Sequence, residues 1–125
     1  MARYDPLTAP DAEAWLAMDE GERIDLAQDY HRRKRIKAPN EKAHAVIHAV
    51  IENQLAEGVA PAVSALERML AEGLDRHEAI HALGTVLAKH LSALMRKSSE
   101  LGSDPNAHYL AALDKLSAAS WRESG

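Results

Sequence analysis

Seven histidines stand in a chain of 125 residues that has no cysteine. Four of them form two His-x-x-x-His pairs, His44 with His48 and His77 with His81. Random placement at this composition would give about 0.4 such pairs. Residues four apart share one face of a helix, so each pair can chelate a single ion. Neutral imidazole suits zinc, iron, nickel or copper, while magnesium and calcium prefer oxygen. The absence of cysteine removes disulfides, thiol catalysis and sulfur-based zinc sites. The two pairs are displaced by the same 33 residues, and both are followed by alanine. This match suggests two helices presenting like ligands to one metal. Zinc is the first expectation, with iron or nickel next. Glu52, one helical step beyond His48, is placed to complete the shell or to orient a histidine from behind it.

Two further patterns overlap the pairs. His77-Glu78-Ala79-Ile80-His81 has the H-E-x-x-H spacing of zinc proteases, in which the glutamate is general base toward bound water. Glu78 also has a structural reading, because Asp75 and Glu78 make a D-x-x-E capping arrangement at a helix start. Glu41 with His44, and Glu78 with His81, both read Glu-x-x-His, the spacing of dinuclear carboxylate bundles. Such bundles need a glutamate from each of two other helices, and nothing marks Glu22 or Glu67 as inward-facing. The expectation is therefore one metal held by His44, His48, His77 and His81. Glu52 is its accompanying carboxylate, and Glu78 or Glu52 serves as the proton-transfer group if there is chemistry.

The elements that must position these residues are helices. There are 24 alanines and 15 leucines against ten valines and isoleucines together, and period-2 alternation is scarce. Thr8 to Asp11 reads as a cap with Pro10 in the first turn of a short helix through Trp15 and Leu16. Asp19 opens a second helix to about Arg35, and Ala38-Pro39-Asn40 separates it from a third over about 41–57, ended by Gly58. A fourth starts near Pro61 and closes at Gly73. Asp75 caps a fifth running to about Ser98, and a last helix runs from Ser103-Asp104-Pro105 to near Trp121. The reading is an all-α, single-domain helical bundle of five to six helices over 1–125, with a metal-site core at about 40–98.

The segment from Asn40 to about Lys89 carries His44-x3-His48-x3-Glu52-Asn53-Gln54 and then Gly73-Leu74-Asp75-Arg76-His77-Glu78-Ala79-Ile80-His81-Ala82. It resembles a bacterial family of small proteins of unknown function. The resemblance implies an all-helical bacterial protein and supplies no substrate.

Net charge is −4, which disfavours a globally basic nucleic-acid binder. The basic run from His31 through Lys37 reads as a solvated helix end, where positive charge suits the dipole. His90 and His108 read as surface or helix-packing groups. No apolar run approaches the length of a membrane span, and Met1 to Pro6 lack the apolar stretch of a secretory signal, so the expected location is cytoplasmic. Two function classes follow. One is a small metal-dependent hydrolase or oxidoreductase acting on a small molecule. The other is a non-catalytic interaction module, with a protein partner, in which a metal or the histidines themselves brace the bundle. An alanine-rich amphipathic helix can also pack across a two-fold axis, which leaves a homo-oligomer open.

Overall fold

Helix punctuation in the chain is answered by hydrogen bonds in the structure, a computed structural model that describes residues 3–36 and 40–124. Seven α-helices and one 3-10 turn occur among the described residues, with no strand. They are α1 (Ala12–Ala17), α2 (Glu20–Arg33), α3 (Glu41–Ala56), α4 (Ala60–Ala71), α5 (Arg76–Met95), the 3-10 turn Ser99–Leu101, α6 (Pro105–Asp114) and α7 (Ala118–Ser124). Among the described residues no helix is long and apolar enough to cross a membrane. The chain divides into two compact units, Met1–Val59 and Ala60–Gly125.

In the first unit, α3 packs against α2 and α1. The side chains of Asp11, Asp19 and Asn40 accept hydrogen bonds from Ala14, Glu22 and Ala43 amides, so each helix starts on a side-chain cap. Asp11 is itself the cap of α1, which puts Pro10 before the helix rather than in its first turn. Helix α3 ends in paired bonds from Gly58 N to Leu55 O and Val59 N to Gln54 O, with Gly58 at φ +71. Only glycine takes that conformation without cost, which is why the helix stops there. Ala38 and Pro39, expected to separate α2 from α3, lie outside the described residues. The core of the unit is Tyr4, Trp15, Ala27, Tyr30, Ala45 and Ala49, joined by partly buried Ile24, Leu26 and Ala56.

One partly buried polar junction holds the short α1 in place. Asn53 Oδ1 accepts from Trp15 Nε1 at 2.8 Å and from Arg23 Nη1 at 3.0 Å. The other Arg23 amino group donates to the carbonyls of Leu16 and Met18, which the end of α1 leaves unpaired. A helix of six residues is too short to be stable alone. Arg23, Asn53 and the buried Trp15 supply what its own hydrogen bonds do not.

In the second unit α4, α5 and α6 pack on one another. Met69, Leu74, Ile80, Leu83, Leu87 and Leu113 are buried. Asp75 and Glu78 form a reciprocal capping box at the start of α5. The last helix expected from the sequence is two helices, α6 and α7. The reason is on α4, where Arg68 donates from Nε to Leu116 O and from Nη2 to Leu113 O. These are carbonyls that an uninterrupted helix would have bonded internally. Glu72, one turn along, accepts from Ala118 N at the start of α7. Arg68 and Glu72 thus satisfy carbonyl and amide groups on the two sides of the break.

Candidate metal centre

Helix α3 places His44, His48 and Glu52 one above another, as their spacing of four requires. His48 and Glu52 are each 1% exposed. The imidazole that joins them is His31 from α2, 6% exposed. One ligand nitrogen from each of His31, His44 and His48 lies within 4.8 Å of the others. Ring centroids are 4.5 Å apart for His31 and His44, 4.6 Å for His31 and His48, and 4.9 Å for His44 and His48.

Hydrogen bonds fix which nitrogen of each ring is available. His31 Nδ1 is 2.7 Å from Ala27 O. A carbonyl only accepts, so Nδ1 carries the proton and donates, and Nε2 of the neutral ring keeps its lone pair. That Nε2 sits 3.1 Å from His44 Nε2. In the neutral pair the proton between them belongs to His44, and a cation seated between the rings would replace it. With Zn–N bonds of about 2.0–2.1 Å, two ligands at the tetrahedral angle are ~3.4 Å apart and two at a right angle are ~2.9 Å apart. The observed spacing falls between these values.

His48 is held from behind. Tyr4 Oη donates to Glu52 Oε2 at 2.6 Å and lies 3.2 Å from His48 Nδ1. With its own hydrogen committed to the carboxyl, the phenol oxygen accepts from His48 Nδ1–H, which leaves His48 Nε2 as the acceptor or ligand. Glu52 to Tyr4 to His48 is therefore an orienting chain, of the kind that sets the tautomer of metal-ligating histidines. Tyr4 is fully buried and packs edge-on to both Tyr30 and His48.

His77 and His81 stand in the first turns of α5, in the second unit, with ring centroids 4.4 Å apart. The spacing brings these two together as expected. Glu78 between them is exposed, and its side chain is committed to the capping box with Asp75. Thr85 Oγ1 donates to His81 O. Among the described residues of the basic run, Arg32, Lys34 and Arg35 are exposed. Arg33 bonds Asp29 and Tyr4 O and lies 5.7 Å over the Tyr30 ring. Lys37 lies outside the described residues.

Sequence reasoning passed over His31 and Tyr4. His31 opens a run of cations, yet it lies one helical turn past Ala27 and two past Ile24, on the apolar side of α2. That alignment was the available signal. Tyr4 belongs to no periodic element, and no local signal marked it.

The chain matches no protein-family model, no curated protein and no solved structure.

Proposed function

We propose that the protein binds one transition-metal ion through His31, His44 and His48, with Glu52 and Tyr4 orienting His48. Three convergent imidazoles carry this reading, two of them with Nδ1 engaged so that Nε2 faces the shared space. A donor set of nitrogens without thiolates suits zinc first and iron or nickel next. The pair His77 and His81 is retained as further ligands on the strength of its sequence register with His44 and His48. Glu78 stays as a candidate proton-transfer group only if its cap opens. On this reading the protein is a small metal-dependent hydrolase or oxidoreductase.

A second reading is favoured by one observation. Glu52 is the buried carboxylate of the centre, and its Oε2 is committed to Tyr4. It is thus tied up as an orienting group rather than free as a base, which suits a metal that braces a non-catalytic interaction module.

Equilibrium dialysis of untagged protein against zinc and against ferrous iron, followed by elemental analysis, tests the first claim. One ion per chain is expected for the wild type, and loss of binding for His31→Ala and for His44→Ala. A stoichiometry near zero for the wild type overturns both readings of the metal. Comparison of metal-free and loaded protein separates the two readings. A bracing metal raises Tm strongly, whereas a catalytic ion leaves the fold largely independent of it and keeps an exchangeable water.

A further inference from the structure

The second unit contains a cleft of about 440 Å³ that the metal centre does not involve. It lies among the C-terminal half of α5, the 3-10 turn and α6, a size within the range of small-molecule sites. Its apolar wall is Val86, Ala93, Leu101 and Ala112. Its polar groups are unbalanced in charge, with Lys89 and Arg96 on one side of the count and Glu100 on the other. His90 and His108 add two imidazoles. The His90 ring stacks on Tyr109, with centroids 4.9 Å apart and planes at 29°. That stacking fixes the imidazole plane. His90 Nδ1 is buried and has no hydrogen-bond partner among the described residues. A buried polar atom left unmatched is unfavourable, so an orphan in a side chain that lines a cleft points to where a ligand's polar group belongs.

From the orphaned His90 nitrogen, the apolar wall and the excess of cations, we propose that this cleft binds a small organic acid. Its flat or branched apolar body lies along Val86, Ala93 and Leu101. Its carboxylate accepts from His90 Nδ1–H and pairs with Arg96, whose planar guanidinium matches a carboxylate in geometry. Lys89 raises the local positive potential at the mouth. Glu100, on the opposite side of the charge balance, disfavours a ligand with a second negative group near the 3-10 turn. A neutral ligand of the same shape gains the apolar contact and forgoes the charge pairing.

The probe for the test is 1-naphthoate, with 1-naphthalenemethanol as its uncharged counterpart, titrated into the full chain labelled with 15N. The expected result is saturable binding of 1-naphthoate, with amide shifts centred on 86–96 and 99–112 and at least about tenfold weaker binding of the alcohol, the ratio of one charge-assisted hydrogen bond. His90→Phe keeps the ring on Tyr109 and removes the nitrogen. Arg96→Gln removes a cation from an exposed position, where the fold is not at stake. Each is expected to weaken 1-naphthoate roughly tenfold and to leave the alcohol unchanged. The proposal is overturned by absence of saturable binding, by equal binding of acid and alcohol, by shifts centred on the first unit, or by an unchanged affinity in Arg96→Gln.

Discussion

Helices α3 and α5 carry the same His-x-x-x-His spacing in different surroundings. On α3 the pair is joined by His31 from a second helix, and His48 is backed by Tyr4 and Glu52. On α5 the pair flanks a glutamate that caps its own helix. The remaining histidines of that unit, His90 and His108, line the cleft at the other end of α5. Spacing alone therefore sets two rings on one face, and the partners from other elements decide what the rings can do. In the first unit Ala27 O and Tyr4 hold protons at Nδ1 of His31 and His48, which leaves Nε2 of each ring to a metal.

Breaking the first site from within is expected to have the largest effect. His31→Ala removes a ligand of the three-imidazole set and should weaken zinc by more than about 100-fold, a loss beyond that typical of an outer partner. Competition with a chromophoric chelator reads this directly. Acidification acts in the same direction, since protons compete for the same nitrogens. Metal bound at neutral pH is expected to be released as pH falls, with no release on raising it moderately.

Tyr4→Phe sharpens the comparison, because it leaves all three rings in place and removes only the link between Glu52 and His48. Zinc affinity should fall about 10–100-fold. Loss of the buried phenol hydrogen bonds should cost about 1–3 kcal/mol of stability in the metal-free protein, measured by urea denaturation. Glu78→Ala is the counterpart in the second unit. It should cost about 1 kcal/mol by loss of half the capping box and leave zinc affinity within error. A large loss of metal in Glu78→Ala would mean that Glu78 itself takes part in binding rather than only capping its helix.

The smallest effect concerns how α2 ends beside His31. Ile36 N bonds His31 O and Arg35 N bonds Arg32 O, with Arg35 at φ +56. This is the left-handed position that glycine usually fills. Arg35→Gly should therefore be neutral to stabilising by up to ~1 kcal/mol in thermal denaturation, with the metal centre unaltered.

Helix starts were legible in the chain because they rest on local chemistry. Asp19, Asn40 and Asp75 cap the helices that their positions announced. Gly58 and Gly73 end theirs with positive φ. The division of the last helix was not legible. It depends on Arg68 and Glu72 of α4, which lie far away in sequence and reach carbonyl and amide groups at the break. The candidate site divides in the same way. His44, His48 and Glu52 follow from one helix and a period of four, so their shared face could be read directly. His31 and Tyr4 join by tertiary packing, where a run of cations hid the first and an aperiodic segment hid the second. Asn53 shows the same limit. Its place beside Glu52 in the motif was visible, but its role as acceptor for both Trp15 and Arg23 was not.

The most direct test is X-ray absorption at the metal edge of zinc-loaded, untagged protein, in wild type and His31→Ala. A nitrogen shell with outer scattering from at least three imidazoles is predicted for the wild type, reduced by one or lost in the variant. An oxygen-dominated shell with one imidazole or none, or a spectrum that His31→Ala leaves unchanged, would contradict the assignment of His31, His44 and His48 to a common ion.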